Sequence, residues 1–135
     1  MLLCLLLSAC GDQRPCTSCP DITGAYLVSW QRGFPAEGCP ATGPQPVNLT
    51  LSQMGNRVSS LVDGFELRGT LFDTFDFSLS GGLEGTEYSL RGRAIIDGVR
   101  ADGGTTSASR VRVVGSLTTT RAQCVLTEQY TADRL

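Results

Sequence analysis

Six cysteines carry most of the reactive chemistry in this chain. Cys16-Thr17-Ser18-Cys19 has the CxxC spacing of a redox dithiol or of half a zinc site, whereas Cys39 and Cys124 stand alone. A redox dithiol needs a helix N-terminus and a βαβ setting to lower a thiol pKa, and no such setting is visible. A four-cysteine zinc site needs a second close pair, which Cys39 and Cys124 do not supply. In an oxidising compartment Cys16, Cys19, Cys39 and Cys124 read first as two disulfides, with three connectivities open.

Other catalytic equipment is sparse. All 11 basic residues are Arg, and neither Lys nor His occurs, so the commonest general base and metal ligand at neutral pH is missing. Ser and Thr are plentiful, but no GxSxG elbow accompanies them. The expectation is therefore no enzyme, no catalytic residues, no metal and no cofactor. Asp63, Glu66, Asp73, Asp76, Glu84 and Glu87 crowd one stretch, and Arg91, Arg93, Arg100, Arg110, Arg112 and Arg121 the next. A calcium site or a glycosidase-like carboxylate pair near Asp73 and Asp76 is one reading. A solvated outer face with cross-strand ion pairs is the favoured one, because Glu66, Arg68, Asp76, Arg91 and Arg112 sit opposite the apolar positions and no EF-hand spacing appears. A formal net charge of −2 gives no field to draw the chain to nucleic acid, so that partner is excluded.

The N-terminus is the most specific signal. Leu2 to Leu7 form an apolar run, followed by small residues, and the run is far short of the ~20 residues of a spanning helix. Leu7-Ser8-Ala9-Cys10 resembles the lipobox of bacterial lipoproteins. That resemblance implies lipid transfer to the Cys10 sulfur, cleavage before it, and a membrane-held location in the cell envelope. Because Gly11 rather than Asp follows the cysteine, the resemblance implies the outer membrane in a cell with two membranes. Residues 1–9 are thus expected to be a signal peptide, and the absence of a basic residue before the run predicts that it is N-terminally truncated. Residues 10–21 read as the lipidated Cys and a flexible tether, rich in Pro, Gly and small polar residues.

The elements that must position these residues are strands. Period-two alternation runs through Val47 to Ser52, Phe65 to Arg68 and Phe75 to Ser80, while helical periodicity is interrupted by Gly throughout. Turn dipeptides fall at Gly55-Asn56, Asp63-Gly64, Gly81-Gly82, Asp97-Gly98 and Asp102-Gly103-Gly104. The expected strands are 22–31, 46–53, 57–62, 65–72, 74–80, 87–96, 109–120 and 124–132. They make residues 22–135 one all-β domain, a single antiparallel up-and-down β-barrel of about eight strands. Gly69, Gly92 and Gly115, spaced by 23 residues, take inward positions where a strand can bend at a barrel corner.

The segment Asp21 to Trp30, with Gly24-Ala25-Tyr26 near its start, and the Gly-punctuated hairpins after it resemble the avidin and lipocalin-like barrels. That resemblance implies a ligand at one open end. Tyr26, Trp30, Phe75, Phe77, Tyr88 and Tyr130, inward by parity along with Phe65, are the candidate lining, although in so small a barrel such residues also serve as plain core. In an eight-stranded meander the end of the first strand and the start of the eighth share a rim. A Cys39–Cys124 bridge would therefore staple the closing seam, with Cys16 and Cys19 at the opposite rim. Two functions follow: a non-enzymatic binding module for a small apolar ligand or peptide, or a structural lipoprotein with a solid barrel that docks an envelope protein.

Overall fold

The computed structural model describes residues 13–31, 33–40, 43–62, 64–99 and 105–135. Eight strands follow one another: β1 (Gly24–Trp30), β2 (Asn48–Met54), β3 (Arg57–Val62), β4 (Phe65–Leu71), β5 (Asp76–Leu83), β6 (Thr86–Val99), β7 (Thr105–Arg121) and β8 (Cys124–Arg134). Each pairs antiparallel with the next, and β1 closes on β8 through registers such as Trp30 opposite Tyr130. The result is the expected closed up-and-down barrel, which leaves no sheet edge exposed.

Alternation explains why these segments pair as they do. Along β8 the odd turn of the pleat buries Leu126, Glu128, Tyr130 and Ala132, while Val125, Thr127, Gln129 and Asp133 face water. The interior is built from Leu49, Leu51, Leu67, Leu71, Leu79, Leu90, Val113 and Leu117, all almost fully buried. Each such side chain contributes roughly 1.5–3 kcal/mol on burial. Gly92 lies inward beneath the Phe77 ring, where a Cβ would come 2.5 Å from Phe77 Cζ and 2.7 Å from Val113 Cγ1. At Gly115 a Cβ would overlap the Arg91 carbonyl oxygen, which turns into the barrel and accepts a hydrogen bond from the Tyr130 hydroxyl at 3.0 Å. The two equally spaced glycines therefore give space to one ring and one hydroxyl.

Several expected turns are displaced. β5 does not turn at Gly81-Gly82 but runs to Leu83, because Gly82 packs against the β6 backbone and the reversal falls on Glu84 and Gly85, both at positive φ. β6 likewise continues past Asp97 to Val99, pairing there with Thr105 across a register shift. The segment Asp102-Gly103-Gly104 and Asp63 lie outside the described residues. Phe75, expected within a strand, sits in the turn before β5 with φ 67°. Among the described residues no helix is long and apolar enough to cross a membrane.

The tether is the largest correction. Residues 14–22 do not hang free: Pro15 bridges to Phe72, Cys16 N–H donates to the Leu71 carbonyl at 3.0 Å, and Asp73 N–H donates to the Arg14 carbonyl at 2.9 Å. Cys16 and Ile22 join the core, at 4% and 0% exposure. A segment without periodicity is held here because its backbone finds partners at the rim and its two apolar side chains find the barrel mouth.

Candidate functional site

The barrel has two rims, each covered by a segment laid across it. At the amino-terminal rim, where β1 begins, residues 14–23 form the cover. Gln53 of β2 holds it: Ile22 N–H donates to Oε1 at 2.9 Å, and Nε2 donates to the Pro20 carbonyl at 2.8 Å and to the Gly55 carbonyl at 3.0 Å. Asn56 Nδ2 donates to the Cys16 carbonyl at 3.3 Å, and Cys16 and Cys19 are joined as a disulfide, Cα to Cα 5.2 Å.

The opposite rim is covered by the strap, the connection 31–47 between β1 and β2. A second disulfide, Cys39 to Cys124 with Cα atoms 5.5 Å apart, ties the strap to the first residue of β8. Both pairings agree with the reading that placed these cysteines at opposite rims. Beneath the strap lies Glu128, an inward carboxylate with 1% of its surface exposed. Gly43 N–H donates to its Oε1 at 3.1 Å, and the Gln45 side-chain amide donates to its Oε2. A buried carboxylate without donors would cost several kcal/mol, so these two bonds permit its position. The strap can come this close because Gly33 and Gly43 carry no side chain: a Cβ on Gly43 would lie 2.8 Å from Glu128 Oε1 and 3.2 Å from Thr119 Oγ1. The Thr119 hydroxyl is itself buried without a protein partner, as is that of Ser60 deeper in the barrel.

The six expected ligand residues do not converge on one cavity. Tyr26 and Phe77 are core, and Phe75 is half-buried at the amino-terminal rim. Trp30 and Tyr130 pair beneath the strap with ring centroids 5.4 Å apart, and Tyr88 stacks on Phe65 at 5.7 Å. The polar tips are engaged: Tyr26 Oη donates to the Ile22 carbonyl at 2.7 Å, Tyr130 Oη to Arg91, and Trp30 Nε1 to the Pro46 carbonyl at 2.9 Å. Burial pushes the Tyr26 phenol up to about 12, and burial raises that of Tyr130 as well. Compared with known proteins, the chain matches no family model, no curated protein and no solved structure. The rims and their covers are therefore read on their own geometry.

Among the described residues, Glu66 and Asp76 of the acidic run and Arg93 and Arg112 of the basic run enter ion pairs on the outer face. Arg93 clamps Asp76 through Nε at 2.8 Å and Nη2 at 3.1 Å, with Thr74 Oγ1 donating to the same carboxylate at 2.7 Å. These bonds to Arg93 hold the Asp76 carboxyl below its ordinary value. Arg112 pairs with Asp133 across β7 and β8, and Arg68 with Glu66 along β4, each at 2.7 to 2.8 Å. Among the described residues no cluster of three metal-binding side chains occurs. Cys10 lies outside the described residues.

Glu128, Gln45, Thr119 and Gln53 were not among the expected site residues. The first had a visible signal, since Leu126, Glu128 and Tyr130 share one parity and so one face. Gln45 and Gln53 carry none, because a side chain that reaches for backbone atoms far along the chain leaves no local pattern.

Proposed function

We propose that this chain is a non-enzymatic lipoprotein of the cell envelope, anchored through lipid on Cys10, whose packed barrel serves as a rigid module that docks an envelope protein. The observation that carries this reading is the state of the inward aromatic residues. Tyr26, Phe77, Tyr88 and Tyr130 are buried among leucines and valines, and the hydroxyls of Tyr26 and Tyr130 already bond backbone carbonyls. A side chain so engaged is a building element rather than a vacant contact for a ligand.

A fluorescent fatty acid, titrated into the unlipidated chain from Gly11, tests it. No saturable binding is expected; one-to-one binding that a plain fatty acid displaces would overturn the reading in favour of ligand capture. Capture at the strap rim is the second reading, favoured by the unpartnered Thr119 hydroxyl beside Glu128 and the half-buried Trp30. Lipidation is checked by mass: Cys10→Ser should remove the acyl increment, and an unchanged product would remove the anchor from the proposal.

A further inference from the structure

We propose that the barrel rests with its amino-terminal rim against the phospholipid surface and directs the strap rim away from it, an inference that rests on the reading of Cys10 as lipidated. The argument is one of chain length. A free tether from Cys10 to Asp21 would reach up to about 40 Å, enough for the barrel to tumble in any orientation. In the structure Arg14 and Cys16 are already bonded to Asp73 and Leu71, at the connection from β4 to β5. Only four residue steps separate Cys10 from Arg14, and they span at most about 14 Å. The leash is shorter than the barrel is tall, since β1 alone runs about 20 Å.

The surfaces of the two rims suit this placement. Beside the docked segment, Met54 and Leu135 are 82% and 79% exposed, and neither packs on the core. Exposed Arg14 and Arg57 stand at the same rim with Arg134 and the Asp76–Arg93 pair, against Asp21 and Asp73, so the charge is close to balanced. The strap rim instead exposes Glu37, Glu84 and Glu87 against Arg121, with Glu66 paired to Arg68, among the described residues. Both rims expose apolar tips, Phe34 at 93% and Val47 at 66% on the strap among them, so charge and the short leash distinguish the two: anionic headgroups repel the acidic strap rim, whereas the amino-terminal rim offers guanidinium groups that suit the headgroup layer.

The single tryptophan makes the orientation measurable, because Trp30 sits under the strap. The lipidated full chain, produced behind a complete lipoprotein signal, is reconstituted in vesicles of phosphatidylcholine and phosphatidylglycerol with brominated acyl chains. Trp30 emission should be unchanged by bromination. Met54→Trp in a Trp30→Phe background should be quenched severalfold, and Leu135→Trp in the same background serves where the first variant folds poorly. Inserting twelve Gly and Ser residues between Gly11 and Arg14 should relieve that quenching. Quenching of Trp30, or equal emission from all positions in a chain whose mass carries acyl groups, would overturn the orientation while leaving the anchor intact. A mature chain without acyl mass overturns the anchor and the orientation with it.

Discussion

The two rims solve one problem with different means. Each mouth is covered by a segment that carries a disulfide, internal to the cover at the amino-terminal rim and joined to β8 at the other, and each is gripped by side chains reaching from strands, Gln53 and Arg134 at one rim and Glu128 at the other. At the amino-terminal rim the disulfide spans three residues and the cover lies down through backbone bonds to neighbouring connections. At the strap rim the disulfide spans 85 residues and the grip is a buried carboxylate. The first cover is secured by many weak contacts and the second by a few strong ones. Damage at the strap rim should therefore be abrupt, and damage at the other gradual.

The disulfides test that contrast most severely. In the chain-entropy treatment, opening a loop of 85 residues costs about 4–5 kcal/mol, and opening the three-residue loop roughly 1.5 kcal/mol. Urea unfolding of Cys39→Ser/Cys124→Ser should show a much lower midpoint than Cys16→Ser/Cys19→Ser. Equal midpoints, or the reverse order, would break the comparison. Glu128 comes next. Glu128→Leu leaves the Gly43 N–H and the Gln45 amide without acceptors and should cost about 2–3 kcal/mol. Glu128→Gln, which keeps one acceptor oxygen, should lose less. Because Gly33 is buried, tryptic cleavage after Arg32 reports strap lifting, and it should accelerate in Glu128→Leu before global unfolding. Unchanged cleavage would mean that Glu128 does not grip the strap.

Most of the barrel was legible because its signals are local. Alternation in Asn48–Met54 and Phe65–Leu71, and the turn glycines Gly55 and Gly64, mark strand and reversal with no knowledge of the rest. Meander order then placed Cys39 beside Cys124. Gly81-Gly82 misled because a glycine allows both a turn and a close backbone approach, and here close packing against Thr86 and Glu87 prevailed. Phe75 misled because its parity suits a strand while its backbone takes a turn conformation at φ 67°. The covers were illegible for another reason. Pro15, Cys16, Ile22, Gly43 and Gln45 are held by partners 31 to 85 positions away or by an isolated bridge, and no window of sequence contains such a pair.

At the amino-terminal rim the expected losses are smaller. Gln53→Ala removes three hydrogen bonds from a half-buried site and should cost about 1–2 kcal/mol, since water reaches the freed groups. Amide exchange at Ile22 should quicken by an order of magnitude while β8 amides keep their protection. Loss of protection in β8 as well would mean that the rims do not act independently.

The smallest effect belongs to the Asp76–Arg93 pair, which opens β5 at the same rim. With Arg93 64% exposed and Asp76 21% exposed, water screens much of the attraction, so Asp76→Asn should cost less than Gln53→Ala. Its pH dependence identifies it. The bonds from Arg93 favour the ionised carboxylate, so its folded pKa lies below the value in the unfolded chain, about 4. Between those two values the native protein carries fewer protons than the unfolded chain, and stability falls as pH is lowered. The contribution is complete above the unfolded value and is lost as pH falls through the folded one. The stability gap between the parent and Asp76→Asn should accordingly be constant from pH 8 to pH 5 and shrink steadily below about 4. A gap of constant size down to pH 2 would assign the effect to packing around Thr74 instead of to the charge.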